Sequence, residues 1–254
     1  MSIIGGSAGF NSVVFYSENF SSKAIRRKDG AINIELSKRR VIPKFERLIK
    51  RIPLIRGLIL FVRPIIIVWK IYLIVFLPLL ILLLLSTSDG VSESSSILIL
   101  SLMANIIDAH FWLLIAFFLA IYAAIIKFSN LGKYHGAEHM TDSSFSLLSS
   151  LAISDVVKQS RIHKSCGTNF VVFLFVTYFI LSFFISNFNV LFVGSVSIGF
   201  ELFLIQSRIL APFYWLGGLF QYLLFTSKPS TEHLEVAIAS YEALIKAERN
   251  YNNT

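Results

Sequence analysis

The sequence predicts an all-α polytopic membrane protein with about four transmembrane helices, a small N-terminal cytoplasmic β segment and a C-terminal amphipathic helix. The mean hydropathy of the 254-residue chain is +0.71, and 55% of its residues are hydrophobic. Only 15% are charged, against roughly 25% in a soluble domain. These values favour an integral membrane protein over a large soluble core.

Changes in composition along the chain predict three regions. Residues 1–50 form a cytoplasmic, β-rich N-terminal segment, and residues 51–228 form the membrane domain. Within that domain, residues 129–168 are a polar cytoplasmic excursion that holds three of the five histidines and the single cysteine. Residues 229–254 form a cytoplasmic helix.

The N-terminal segment carries the signals of a β-hairpin. Asp29-Gly30 is typical of a tight turn, and Ile32, Ile34 and Leu36 then alternate with polar residues. Residues 11–16 are predicted to add a strand. Near the C-terminus, a serine and a threonine after Pro229 predict the start of a helix over residues 230–249.

Apolar runs predict the membrane segments, because about 20 helical residues cover the hydrocarbon layer. The predicted spans are residues 65–85, 105–128, 170–186 and 190–206. Two further segments are expected at the interface: a surface helix over 43–63 and a re-entrant piece over 210–225, which Pro212, Gly217 and Gly218 interrupt.

Charge placement predicts the orientation in the cell membrane. Most lysines and arginines precede Pro64, and the loops 86–96 and 186–189 contain none. Basic residues stay on the cytoplasmic side, so both termini of this multi-pass chain are expected there. Nucleic acid is not an expected partner, because the basic stretch runs directly into apolar sequence.

The motif His135-Gly-Ala-Glu138-His139 is the strongest candidate for chemistry. It reads H-x-x-E-H, which also marks one class of zinc peptidases. Residues four apart share one face of a helix, so the two imidazoles are expected to bind one divalent metal, with zinc as the expected ion. Glu138 would then carry protons as a general base.

Catalytic zinc usually has three protein ligands. His163 and Cys166 lie in the same excursion and are the candidates for the third ligand, with Glu235 as a more distant option. Two alternatives stay open: a hydrogen-bonded histidine cluster without metal, and a merely packed cysteine. Glu201, inside the fourth predicted span, either lines the polar site or has a structural role.

Several motifs resemble the YqhQ-like family (domain of unknown function 1385), which consists of uncharacterised bacterial multi-pass membrane proteins. Gly5-Gly6-Ser7-Ala8 is similar to an opening Gly-Gly-x-Ala, and residues 51–57 (Arg-Ile-Pro-Leu-Ile-Arg-Gly) resemble a basic motif of the family. The more specific matches are Tyr134–His139, then residues 159–163 (Gln-Ser-Arg-Ile-His), followed by Cys-Gly-Thr at 166–168. Weaker matches are Phe-Glu-Leu at 200–202 and Leu-Glu-Val-Ala-Ile at 234–238.

The resemblance implies a metal-dependent enzyme of unassigned reaction. The chain departs from the family pattern near its start, where Ser7 and residues 11–16 (Asn-Ser-Val-Val-Phe-Tyr) replace a glutamine and a segment with a carboxylate and an arginine. Met140 also stands where the family often has lysine. These departures predict an altered substrate or an inactive member if those residues serve the site.

The expected function is a membrane-embedded, metal-dependent enzyme, hydrolase-like or transferase-like, with its site at the cytoplasmic membrane interface. The expected partners are membrane lipid and a lipid-linked substrate. A homo-oligomer is also expected. The alternative is a transporter or an assembly scaffold that uses the same residues as a structural metal site or a hydrogen-bonded cluster.

Overall fold

The computed structural model describes residues 5–39, 51–59 and 119–253, together with residues 69, 73, 77, 113 and 117. The first predicted span, 65–85, and the loop 86–96 therefore lie essentially outside the described residues. The second predicted span is described mainly from residue 119 onward.

The N-terminal residues form a four-stranded antiparallel sheet in the order β1-β2-β3-β4. The strands are β1 (Gly5–Ala8), β2 (Ser12–Tyr16), β3 (Phe20–Arg26) and β4 (Ile32–Lys38). Gly30 has a φ of 85°, the left-handed conformation that a tight turn between β3 and β4 favours. The hairpin and the strand predicted within residues 11–16 are both confirmed.

The described helices are α1 (Leu119–Phe128), α2 (Asn130–Leu148), α3 (Ile153–Val156), α4 (Gly167–Ser182), α5 (Phe188–Ile205), α6 (Ala211–Phe220) and α7 (Thr231–Asn252). A 3₁₀ turn over Arg208–Leu210 precedes α6, and a π-helical turn over Gln221–Phe225 follows it. The predicted C-terminal helix is confirmed as α7.

The prediction of an all-α protein with about four transmembrane helices is wrong. The chain contains a four-stranded sheet, and among the described residues α5 is the one helix long and apolar enough to cross a membrane. The apolar run at 170–186 gives the 16-residue helix α4, which ends at Ser182. A run of apolar residues does not distinguish a helix in lipid from one packed against protein, and α4 buries Asn169, Phe173 and Thr177 against its neighbours.

The sheet packs against α7 and α2, and this layer forms the main core of the described residues. Val13, Phe15 and Ala24 from the sheet contact Leu234 and Tyr241 of α7 in one buried cluster. The rings of Phe15 and Tyr241 meet edge to face at 4.7 Å. Tyr134, Ala137 and Met140 of α2 belong to the same cluster, which brings β1 beside α2.

A buried carboxylate ties the C-terminal end of α7 to the sheet. Glu248 accepts hydrogen bonds from the Ser17 hydroxyl at 2.5 Å and from the Asn19 side chain and backbone amide, both at 3.1 Å. Burial opposes ionisation, but these three donors together lower the pKa of Glu248. The contact therefore favours the charged carboxylate in the folded protein.

The surface helix predicted over 43–63 is not observed over residues 51–58, and the rest of that segment, apart from Ile59, lies outside the described residues. Residues 51–58 form turns, and Leu54 adopts a left-handed φ of 68°. The Arg56 guanidinium pairs with Glu201 of α5, with Nε 2.8 Å from Oε1, and the Leu54 amide donates to the same oxygen at 2.9 Å. This loop is therefore held against the C-terminal end of α5, which the sequence predicts to be cytoplasmic.

Candidate metal centre

Helix α2 places four ionisable side chains on one face. The side chain of Ser129 caps the helix by accepting from the Leu131 amide. One turn later, His135, Glu138, His139 and Asp142 follow at spacings of three or four residues, so they share one face. All four line a single cavity.

Main-chain carbonyls fix the tautomers of the two motif histidines. His135 Nδ1 lies 2.9 Å from the Phe225 oxygen, and His139 Nδ1 lies 2.8 Å from the Arg161 oxygen. A carbonyl only accepts, so each neutral ring carries its proton on Nδ1 and leaves a lone pair on Nε2. A carbonyl partner of this kind commonly orients histidines that bind metals.

Both rings turn toward each other rather than away. Their centroids are 4.4 Å apart. His139 is buried, and burial together with the charge of His135 lowers its pKa well below the usual 6.5. His139 therefore stays neutral near pH 7, the form in which imidazole binds a metal.

Cys166 supplies the third convergent atom. Its Sγ lies 3.7 Å from His135 Nε2, and one ligand atom from each of His135, His139 and Cys166 lies within 4.8 Å of the others. Burial raises the pKa of the thiol above its usual value, although hydrogen bonds with Thr168 oppose the shift. Cys166 also stands at the N-cap of α4, where the helix dipole favours a thiolate.

Glu138 lies beside this group and is almost completely buried. Its Oε2 is 3.5 Å from His139 Nε2. Burial raises the pKa of the Glu138 carboxyl to about 8, with the nearby His135 opposing the shift. The carboxyl is therefore mainly protonated at neutral pH, and a divalent cation among the three ligands would lower its pKa and favour the carboxylate.

His163, the other predicted third ligand, is engaged differently. Its Nδ1 accepts from the Ser165 amide at 3.3 Å, so Nε2 carries the proton and faces Asp142 Oδ2 at 3.3 Å. The Tyr241 hydroxyl donates to the other oxygen of Asp142 at 3.2 Å. His163 thus borders the cluster, with its ring 5.6 Å from that of His139, without directing a lone pair into it.

The two distant carboxylates suggested by the sequence lie elsewhere. Glu201 pairs with Arg56, and Glu235 of α7 lies 2.6 Å from Arg26 of β3. Neither is among the described residues that line the cavity. Each links two elements of the fold and leaves the ligand set as His135, His139 and Cys166.

Sequence reasoning missed Asp142 and strand β1 as parts of the site. Asp142 could have been found, because it extends the motif to H-x-x-E-H-x-x-D and keeps the helical spacing. Strand β1 gave only an indirect signal, through the departures from the family pattern at Ser7 and residues 11–16. In the structure Gly6 approaches Glu138 so closely that an added Cβ would lie 2.4 Å from Oε1.

The cluster lies in a cavity of about 1620 Å³. Its polar part is formed by the residues of α2 named above, His163 and Cys166. Most of the remaining wall is apolar and comes from α1, α4, α6 and the π-helical turn: Leu119, Ala123, Val171, Val172, Phe175, Leu216, Phe220, Leu223 and Leu224. The cavity therefore suits a molecule with both an apolar and a reactive polar part.

The sequence profile of a family described as "Protein of unknown function (DUF1385)" matches residues 30–247, which is most of the chain. The chain belongs to the DUF1385 family. It is also 27% identical over 129 residues to "Uncharacterized protein YqhQ" of Bacillus subtilis (strain 168). That alignment spans 46% of this DUF1385 chain and 41% of the relative. No solved structure matches the chain.

Proposed function

We propose that this DUF1385 protein is a metal-dependent enzyme of the hydrolase or transferase class. The observation that carries the proposal is that one ligand atom from each of His135, His139 and Cys166 lies within 4.8 Å of the others. Main-chain carbonyls hold Nδ1 of both rings. Nε2 of His135 then faces Cys166 Sγ, and Nε2 of His139 faces Glu138 Oε2. Three protein ligands with a further position open are the usual arrangement of a catalytic metal.

Zinc is the metal that this ligand set suits best. Two imidazoles and one thiolate are borderline-soft donors, which zinc accepts in tetrahedral geometry. Hard cations such as magnesium and calcium prefer oxygen ligands, and none of the three donors is an oxygen. Bound at this position, the metal would supply a Lewis acid and activate a nucleophile.

Glu138 is the residue proposed to move protons. It is buried beside the ligands and is not one of them. A carboxyl whose pKa lies near the working pH is an effective general acid and base. Asp142 and His163 form a second proton-bearing pair on the same cavity wall and are proposed to orient the substrate.

The apolar wall supports a substrate with a large apolar part. Leu119 and Phe175 expose 60% and 64% of their surface, so this side of the cavity is accessible. We propose that the protein acts in the cell membrane, with the site on the cytoplasmic side. A lipid-linked compound is one substrate of this kind, and an apolar peptide is another.

The second candidate function is structural. A fourth protein ligand would convert the same cluster into a closed metal staple of an assembly scaffold, as expected of structural zinc. Asp142 or Glu138 could provide that ligand after a rotamer change, because both line the cavity. The two functions differ in whether the metal retains a position for an exogenous ligand.

Cobalt substitution of the full-length protein tests the proposal. Co²⁺ bound by Cys166 should give a thiolate charge-transfer band, which Cys166→Ser should remove. Azide should then shift the visible bands if a coordination position is open. A cobalt spectrum that azide leaves unchanged would favour the closed staple, and the absence of cobalt binding would contradict both functions.

A further inference from the structure

Strand β1 borders the cavity of the proposed metal centre along its whole length. Gly5, Gly6, Ser7 and Ala8 all line the cavity that contains His135 and Cys166. Side chains of a strand alternate between its two faces. A cavity that contacts four consecutive residues of a strand therefore reaches its edge as well as the face on which Gly6 approaches Glu138.

The free edge of β1 presents main-chain hydrogen-bonding groups. β1 is the first strand of the described sheet and pairs only with β2 in it. The Gly9 amide donates to the Ser12 oxygen at 2.8 Å, and bonded and non-bonded pairs alternate along an antiparallel ladder. The amides and carbonyls of Gly6 and Ala8 therefore point away from β2, toward the free edge.

The composition of β1 leaves this edge accessible. Gly5 and Gly6 carry no side chains, and a Cβ added to Gly5 would meet nothing within 4 Å. Gly6 also lies directly against the Glu138 carboxyl. A chain bonded to this edge would thus pass close to the proposed proton carrier, in the cavity that also holds the three candidate ligands.

The charges of the cavity argue against a phosphate-bearing headgroup. Lys127 carries the one ammonium or guanidinium group among the described residues of the lining. Its Nζ donates to the carbonyls of Tyr222 and Thr226, at 2.5 and 2.8 Å. Apart from the metal proposed at the cluster, the described part of the cavity places no free cation to bind a phosphate, whereas an uncharged amide backbone needs none.

We infer that the substrate is an extended, apolar peptide segment that adds as a strand to the free edge of β1. This inference rests on the proposed function and names its substrate class. Strand addition supplies affinity through main-chain hydrogen bonds, and apolar pockets select side chains. The wall formed by Val171, Phe175 and Leu223 is suited to such side chains.

The corresponding reaction is hydrolysis of a peptide bond. Water adds to the carbonyl carbon and the C–N bond breaks. Both protons of the water pass to the leaving nitrogen, the first of them through Glu138, and the products are a carboxylate and an ammonium group. The H-x-x-E-H motif, with Glu138 as its general base, provides the groups that this reaction requires.

The test measures binding to the full-length Glu138→Gln protein, loaded with zinc so that binding is read without turnover. The probe is a labelled peptide of leucine, valine and alanine, compared with versions N-methylated at successive residues and with a long-chain acyl ester as competitor. N-methylation should weaken binding about tenfold at alternate residues only, because every second amide would face β1. Equal effects at all residues, or occupation by the acyl ester alone, would overturn the inference.

The same edge is also tested by changing the protein instead of the peptide. Ala8→Pro removes an amide that faces the cavity, and proline is tolerated at a sheet edge when its nitrogen faces away from the neighbouring strand. Ala8→Ser keeps that amide and is the matched control. Peptide binding should be about tenfold weaker in Ala8→Pro than in Ala8→Ser; equal binding would contradict the proposal.

Zinc content, measured on the same samples, distinguishes failure of the peptide inference from failure of the proposed metal-dependent function. Zinc bound without peptide binding would overturn the peptide inference and leave the metal-dependent function standing. Alternate-residue peptide binding by a protein that never takes up zinc would support the role of β1 and overturn the proposed function.

Discussion

Gly6 is a point of close contact between the sheet and the candidate site. Gly6→Ala would place a Cβ 2.4 Å from Glu138 Oε1, so the carboxyl or the strand must move. We expect a loss of about 1–3 kcal/mol in the free energy of unfolding, as for other overpacked sites. Denaturant unfolding of the full-length variant measures this loss.

Gly5→Ala is the matched control for that substitution. Gly5 occupies the adjacent position of β1, and its added Cβ meets nothing within 4 Å. Its free energy of unfolding should therefore remain close to that of the unmodified protein. If Gly5→Ala and Gly6→Ala are equally destabilising, the close approach of β1 to Glu138 is wrong.

The sequence was informative about individual residues where helical spacing sufficed. His135, Glu138 and His139 share a face because one helix carries them, and Asp142 follows the same rule. The sequence could not predict that Cys166, rather than His163, is the third candidate ligand. That outcome depends on the contacts of His163 with the Ser165 amide and with Asp142, which occupy both of its ring nitrogens. The contacts of the two rings with the carbonyls of Phe225 and Arg161 involve main-chain atoms, so residue type does not predict them.

At the scale of elements, α2 and the segment that follows the π-helical turn pack at a glycine. A Cβ added to Gly136 would lie 2.5 Å from the Ser227 oxygen. Gly136→Ala should therefore push this segment away and weaken the bond between His135 Nδ1 and the Phe225 carbonyl. We expect zinc affinity to fall about 10–100-fold, as for other losses of a supporting hydrogen bond.

Competition with a zinc-binding dye measures that affinity. Gly167→Ala is the control, because it is also a helical glycine but its added Cβ meets nothing within 4 Å. It should retain the affinity of the unmodified protein. Unchanged affinity in Gly136→Ala would show that the Phe225 carbonyl does not support the metal site.

Local turn chemistry made the β3–β4 hairpin and α7 predictable, whereas the number of membrane spans was not. Asp29-Gly30 and Pro229-Ser230 mark their elements through backbone preferences that act over a few residues. To predict the number of transmembrane spans, one must know which apolar helices face lipid and which pack against protein. Residues 170–186 and 210–225 are both apolar in sequence. The first segment lies largely in the 16-residue helix α4, whereas the second passes from a 3₁₀ turn through an α-helix to a π-helical turn.

At the scale of the whole molecule, the sheet is held to α7 by an interaction that depends on pH. The pKa of Glu248 is lower in the folded protein than its ordinary value of 4.5. The unfolded chain therefore binds more protons in acid, and this contribution to stability is present above pH 4.5 and is lost as pH falls through the folded pKa.

Glu248→Gln should remove this part of the pH dependence. Denaturant unfolding across the acid range should show a shallower decline in the free energy of unfolding for the variant than for the unmodified protein. Glu18→Gln, which replaces an exposed carboxylate nearby, is the control and should keep the original slope. Equal slopes for all three proteins would contradict the role of Glu248.

Membrane association is a second prediction for the whole molecule. The exposed apolar side chains of α4 and α5, including Phe175, Phe179 and Phe192, predict that the full-length chain sediments with membranes. Detergent should release it, whereas alkaline carbonate should not. Recovery of folded protein in the soluble fraction without detergent would contradict the proposed location.

Zinc content is the most direct test of the central claim, that His135, His139 and Cys166 form a metal centre. The full-length protein, purified without chelator, is analysed for metal beside His135→Ala and His163→Ala. We predict zinc in the unmodified protein, its loss in His135→Ala and its retention in His163→Ala. An unmodified protein that binds no zinc, or equal loss in both variants, would contradict the account.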